Sequence, residues 1–519
     1  MPSGKVLVFA FFAALLALGL AIHRDYGLAF DEVAQRTTGT VTVNYLIDLF
    51  AGRGASSELH TYRDRDYGVA FEAPAAALEF LLGLTDTRDI FMFRHLLTFL
   101  VFVGGAWALY SLALRRFADR RIALLAVAFL VLTPRLFAES FYNSKDAVFV
   151  AAYAIALNTA VAFVLRPGWR TALLHGFASA FAIDTRMAAI TIPVATLAVL
   201  PLRAAKREIT TRALWTLALY GAATAVLVVA LWPWLWSDPL SRFAQALQIV
   251  SRFRFDHEIL YRGELVRTTQ LPWHYVPVWI AITTPPLYLV LFLAGAAATI
   301  WRFIKAGNTI WRTEAELQDQ IFLAFALLPL VAAMLYNPIL YDGWRQLYFI
   351  YPAFLMVALA GWHALWTLAS ARAWRAALGA VTALSFVVTA AWMWRAHPLQ
   401  NVYFNPLAGN EVLARYEVDY WGLSLRPALE HLLAHDSSAE IRVLDANYME
   451  LAMRFIILRP DQRRRLVETQ DASGPHYAFT NFPPNRHREK NVAYGPDYEL
   501  FHEVKVAGEV VLRVFKSRR

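Results

Sequence analysis

The chain has 519 residues, 58% of them hydrophobic, 14% aromatic and only 17% charged, with a formal net charge of +9 and no cysteine. A soluble domain carries nearer a quarter charged residues, so this composition excludes an ordinary soluble enzyme and points to a life in lipid. The missing cysteines exclude a disulfide framework and thiol chemistry.

Apolar blocks of about 20 residues, long enough to cross a bilayer, recur along the chain. In order they cover 4–22, 92–114, 121–138, 146–166, 170–184, 186–202, 211–233, 284–304, 319–336, 347–366 and 374–394, or about eleven spans. The first lacks a clear small-residue cleavage site and reads as a retained span rather than a removed signal. Every second connection is basic. Arg115, Arg116, Arg120 and Arg121 follow the second block, and Arg166 and Arg170 the fourth. Arg203, Lys206, Arg207 and Arg212 follow the sixth; Arg302, Lys305 and Arg312 the eighth; Arg372 and Arg375 the tenth. Short loops rich in Lys and Arg stay in the cytoplasm. The net positive charge is therefore an anchor belt and not a nucleic-acid signal. The same rule puts the N-terminus inside and the tail outside.

The alternate connections hold the other polar residues. The first, 23–91, contains Asp31-Glu32 and Tyr62-Arg-Asp-Arg-Asp-Tyr67, with apolar stretches at 41–50 and 69–83. Those stretches are too short to span and read as helices lying in the interface. The second contains Glu139, Tyr142, Asn143, Lys145 and Asp146; the third is Asp184-Thr-Arg186. The fourth, 237–283, carries Arg252, Arg254, His257 and Arg262 and ends near His274. The fifth contains Tyr341-Asp342-Gly-Trp-Arg345. Beyond residue 396 the apolar blocks stop. Residues 397–519 read as a small α/β extracytoplasmic domain with candidate strands at 439–444 and 504–515.

This one-sided placement predicts a single outer-face site, with acids for chemistry and cations for an anionic group. Lys145, Arg186 and Arg345 sit at span edges, where a lipid phosphate lies; an Arg fork or Lys point charge is its usual partner. A channel or pump places ionisable residues mid-span instead. Here His175 is the main such group, with His95 and His363 near span edges. Simpler roles stay open. Asp31-Glu32 also fits a helix cap, Lys145-Asp146 a helix-start pair, and Asp342 with Arg345 a local pair closing a Gly turn.

The acidic pair after the first span, Asn143-Ser-Lys145-Asp146 opening the fourth, and Tyr341-Asp-Gly-Trp-Arg-Gln346 opening a late span resemble the GT-C membrane glycosyltransferases. Within these the chain is most similar to bacterial relatives of dolichyl-phosphate-mannose–protein mannosyltransferases and of the lipid A aminoarabinose transferase. The resemblance covers residues 1 to about 396, including Leu271-Pro-Trp-His-Tyr275. It continues in Tyr403-Phe-Asn-Pro-Leu-Ala-Gly409 and Tyr416-Glu-Val-Asp-Tyr-Trp-Gly422.

The resemblance implies a polytopic helical membrane enzyme, residues 1–396, in a bacterial inner membrane, with its site on the periplasmic face. It would move a hexosyl or pentosyl group, with inversion, from a polyprenyl-phosphate donor to a hydroxyl of a protein, lipid or glycan. Asp31 is then the general base and Glu32 positions it or the acceptor. Lys145, Arg186 and Arg345 hold the donor phosphate; Asn143, Asp146, Tyr341, Asp342 and His274 contact substrate. Asp146 and then Glu72 are the next candidates for the base. Some relatives hold a divalent metal, and Glu139 with His274 are the residues for it here. No HxxxH or HExxH spacing supports that, so no metal or other cofactor is expected. The alternative is a non-enzymatic lipid or oligosaccharide transporter. It also needs outer basic residues, but adds intramembrane polar groups and broken helices in matching halves.

Overall fold

The computed structural model describes residues 4–53, 58–251, 256–445, 451–480 and 495–518; Arg252 and Arg254 lie outside them. Helices run α1 (Gly4–Ile22), α2 (Glu32–Phe50), α3 (Glu58–Thr61), α4 (Glu72–Leu81), α5 (Thr87–Phe117), α6 (Arg120–Val131), α7 (Pro134–Tyr142), α8 (Asp146–Leu165) and α9 (Trp169–Thr185). They continue as α10 (Thr191–Ala205), α11 (Trp215–Leu231), α12 (Pro239–Ser251), α13 (Tyr275–Thr283), α14 (Pro286–Ala306), α15 (Glu314–Tyr336), α16 (Tyr351–Leu368) and α17 (Arg372–Ala396).

Each of the eleven apolar blocks is helical, but they are not eleven equal spans. Among the described residues, eight helices are long and apolar enough to cross a membrane. The 121–138 block is not continuous. Pro134 lacks the amide that would extend α6, so α7 restarts there, and the two helices meet at 73°. The blocks at 170–184 and 211–233 give α9 and α11, each only 17 residues long.

The two most enclosed spans are α8 and the helix through α16, each with 78% of its apolar window buried. Gly295 of α14 and Gly361 of α16 let those helices touch. A Cβ on Gly295 would lie 1.9 Å from the Val357 carbonyl oxygen, and one on Gly361 2.0 Å from that of Leu291. Because α8 has 20 residues, its ends are about 30 Å apart. Asp146 opens it; Arg166, in one of the basic loops, closes it.

The stretches at 41–50 and 69–83 form α2 and α4, as expected, and pack on each other through Val43, Val69, Ala73 and Ala76. Phe50, Phe80 and Leu81 stay 71–78% exposed at their far ends, which suits helices lying at a lipid surface. In the fourth polar loop, β1 (Glu258–Tyr261) and β2 (Glu264–Arg267) form an antiparallel hairpin.

The tail adds α18 (Val412–Arg415) and α19 (Leu425–His435), and then strands β3 (Ile441–Asp445), β4 (Leu466–Thr469), β5 (Tyr477–Thr480), β6 (Tyr498–Val506) and β7 (Glu509–Ser517). Their order is β4-β3-β5-β7-β6, with β3 parallel to both neighbours and β7 antiparallel to both of its own. The 504–515 stretch, expected as one strand, is a hairpin. It turns at Ala507-Gly508 with φ of +53° and +92°, the left-handed pair that suits right-twisted strands.

Residues 397–424 are anchored on the helical body. The Asn405 side-chain amide donates to the carbonyls of Ala281 and Thr284, each at 2.6 Å. Arg135 Nε donates to the Tyr403 carbonyl at 2.8 Å. Asp419 accepts from Asn401 and from the amides of Leu423 and Ser424. These bonds carry Tyr420 and Trp421 into the polar end of the helical body.

Candidate active site

Arg345 is the hub of that end. Asn337 in the left-handed region ends α15, and Asp342-Gly343, at φ of +55° and +76°, turn the chain back. A 3-10 helix (Arg345–Ile350) then leads into α16. Arg345 Nη1 donates to Asp31 Oδ2 at 3.0 Å and Asp146 Oδ2 at 3.1 Å, and Nη2 to Asp342 Oδ2 at 3.1 Å. Its guanidinium lies between the rings of Tyr341 and Trp421, 4.8 and 4.7 Å from their centroids. Arg186 Nη2 reaches Asp146 Oδ1 at 2.7 Å. Three carboxylates thus face Arg345, Arg186 and Lys145. Asp146 is 1% exposed, whereas Asp31 is 31% and Asp342 25%. Asp31 precedes α2, yet its side chain makes no capping bond; it points to Arg345 instead. Asp342 does form the local pair with Arg345, but as one of three acids on a single guanidinium.

Removing this hub carries a structural cost. Arg345→Ala strips one partner from buried Asp146 and the cation from Asp31 and Asp342. Breaking a buried pair from one side costs roughly 3–5 kcal/mol. The expected outcome is a clearly lower unfolding temperature in detergent, checked by calorimetry. An unchanged temperature would mean that water satisfies these acids.

Lys145 sits beside the hub with its Nζ 3.5 Å from the Tyr67 ring centroid. No ion pair to it is found among the described residues. Burial, and then neighbouring Arg186, lower its pKa to about 8. Lys145, Arg186, Asp66, Tyr67 and Tyr341 form the polar end of a cavity of about 470 Å³. Its remaining wall is largely apolar, from Met187, Ile190, Ala333, Leu340, Leu347 and Phe349. Burial raises the Tyr341 phenol to about 12, so it remains a neutral donor. Tyr67 is placed by its neighbour Gly68, on which a Cβ would lie 1.6 Å from the Asp184 carbonyl oxygen. The Val69 amide locks the same loop to Asp184 Oδ1 at 3.1 Å.

Behind Asp146, Asn143 donates to Glu139 Oε2 at 2.7 Å and Asp146 Oδ2 at 3.2 Å. Glu139 Oε1 accepts from Tyr348 at 3.0 Å and Tyr420 at 3.3 Å. The structure therefore gathers Asp31, Asp146, Asp342, Arg186, Arg345, Lys145, Tyr341 and Asn143. It holds two expected residues elsewhere. Glu32 is buried, bonded to the Ala29 amide at 2.6 Å and His95 Nε2 at 2.9 Å. His274 contacts the Tyr261 hydroxyl through Nδ1 at 2.7 Å. Glu72, the reserve base, is buried against Arg94 and Ser144. Among the described residues, no group of three or more His, Cys, Asp or Glu is placed to hold a metal. Sequence reasoning assigned no role to Trp421 or Tyr67, although both stand in stretches it singled out.

Residues 77–234 match the family model described as dolichyl-phosphate-mannose-protein mannosyltransferase. No curated protein matches the chain by sequence. Among solved structures, ArnT from Cupriavidus metallidurans bound to undecaprenyl phosphate is 15% identical, covering 99% of this chain and 98% of its own, with a TM-score of 0.49. The archaeal oligosaccharyltransferase AglB from Archaeoglobus fulgidus, in complex with an inhibitory peptide and a dolichol-phosphate, is 10% identical. It covers 96% of this chain and 74% of its own, with a TM-score of 0.51. The latter likeness is one of fold. The resemblance to GT-C membrane glycosyltransferases expected from the sequence motifs holds.

Proposed function

We propose that the protein transfers a sugar from a polyprenyl-phosphate donor to an acceptor hydroxyl on the outer face of a bacterial inner membrane. The observation that carries this reading is the pairing of two features. An accessible carboxylate, Asp31, is held by Arg345, and next to it a largely apolar cavity has Lys145 and Arg186 at its polar end. AglB, which shares the fold, binds a dolichol-phosphate, a ligand of the same chemistry. The cavity wall suits the first prenyl units, and its two cations suit the phosphate.

The reaction is a single displacement. Asp31 takes the acceptor's proton as the acceptor oxygen attacks the anomeric carbon. The carbon–oxygen bond to phosphate breaks, its electron pair leaves on phosphate oxygen, and the anomeric configuration inverts. Lys145 and Arg186 stabilise the charge that develops there. Arg345 aims Asp31, and Tyr341 donates toward donor or phosphate. Glu32 and His274 act at a distance, fixing the start of α2 and the neighbouring hairpin.

A panel of polyprenyl-phosphate sugars tests the reading on purified protein, with mass spectrometry of the membrane fraction from a deletion strain to find the acceptor. One donor should be cleaved to polyprenyl phosphate. A panel left intact in the presence of native membranes would overturn the assignment. Orientation is tested separately. A reporter fused after Arg519 should be active only outside the cytoplasm; cytoplasmic activity would put the acid cluster on the wrong face.

A further inference from the structure

At the opposite end of the helices several cations are committed within the protein. Arg116 and Arg302 share Asp319, at 2.6 and 2.9 Å. Arg203 and Lys206 share Glu208, Arg166 reaches Glu314, and Arg312 reaches Glu316. Lys5, Arg115 and Arg120 have no acidic partner among the described residues, and all three line one groove of about 610 Å³ between α1 and α5. The nearest acid in sequence, Asp119, is occupied by the Arg121 amide at 2.7 Å. Arg120 lies along the first turn of α1, where a Cβ on Gly4 would be 3.3 Å from its Cδ. That turn contains no acidic residue and is the positive end of a 19-residue helix.

The rest of the groove is aromatic. Phe12, Trp107 and Tyr110 pack edge to face or tilted, with centroids 5.1–6.1 Å apart. Phe9 and Trp107 remain 77% and 51% exposed. Three uncompensated cations over an apolar trough on a lipid-facing surface match a headgroup phosphate with an acyl chain below it. Ordinary anchor residues have no reason to converge on one groove.

We propose that this groove binds one anionic phospholipid, its phosphate held by Lys5, Arg115 and Arg120 and an acyl chain lying along Phe9, Phe12 and Trp107. The proposal needs only that the helices sit in a membrane, and it is independent of sugar transfer.

Native mass spectrometry and thermal unfolding of the full chain in detergent test it, with phosphatidylglycerol, phosphatidylcholine and inorganic phosphate as probes. Wild type should retain one phosphatidylglycerol at least tenfold more tightly than phosphatidylcholine and be stabilised by it. The triple variant Lys5→Gln/Arg115→Gln/Arg120→Gln should lose that preference. Arg170→Gln/Lys305→Gln, cations of the same end outside the groove, should keep it. Should the triple variant fold poorly, Phe9→Gln keeps every charge and should still weaken phosphatidylglycerol binding. Equal affinity for the two lipids, full retention by the triple variant, or equal stabilisation by inorganic phosphate would overturn the proposal.

Discussion

Asp31→Asn should slow turnover by ~10²–10⁴, the range for losing a general base, and leave donor binding nearly intact. The amide keeps the size of the carboxylate, and its oxygen still accepts from Arg345, now 3.0 Å from Asp31 Oδ2. It cannot take a proton. Donor binding should survive because Asp31 is not part of the wall of the cavity assigned to the donor. Glu32→Gln should be milder, since Glu32 bonds to His95 and the Ala29 amide and does not reach Arg345. Turnover and donor binding must be measured separately, in nanodiscs. Turnover of Asp31→Asn within a few fold of wild type would move the base elsewhere. Asp146 is the poorer substitute, being 1% exposed and bonded to two arginines.

Lys145→Ala should raise the Michaelis constant for donor ten- to hundredfold and leave that for acceptor close to wild type. One charge-assisted bond to phosphate is worth roughly 1.5–3 kcal/mol. Lys145 suits this test because it holds no carboxylate in place, so its loss leaves the acid cluster paired. It also gives the reaction a pH signature. With a pKa lowered to about 8, the ammonium is present below that pH and lost above it. Donor affinity should therefore fall as pH rises through about 8, and Lys145→Ala should abolish that dependence. A donor constant unchanged by the substitution would remove Lys145 from the phosphate site.

The helical plan was legible because a membrane forces backbone polar groups to pair within each segment, so apolar runs and helices coincide. The break at Thr133-Pro134 was less so, since α6 and α7 share one apolar run and only the proline marks the corner. The 504–515 hairpin was hidden by Ala507, an unusual residue for a left-handed turn. In the site, sidedness brought Asp31, Asp146, Arg186 and Arg345 to notice, because charge placed off the basic loops is scarce. Asp31 and Glu32 looked like one unit because they are adjacent. At a helix start, successive side chains point about 100° apart, so one faces Arg345 and the other His95. Trp421 lies far from Arg345 in sequence, and only the packing of 397–424 on the helices brings them together.

In the proposed reaction donor is consumed by chemistry at Asp31 and not carried across the membrane. The most direct measurement reconstitutes wild type and Asp31→Asn in proteoliposomes with a labelled polyprenyl-phosphate sugar and native acceptor membranes. Released polyprenyl phosphate, glycosylated product and labelled donor in each leaflet are then followed together. Wild type should give product with inverted anomeric configuration in step with polyprenyl phosphate, and Asp31→Asn almost none of either. Intact donor moving between leaflets without cleavage, equally in both proteins, would contradict it.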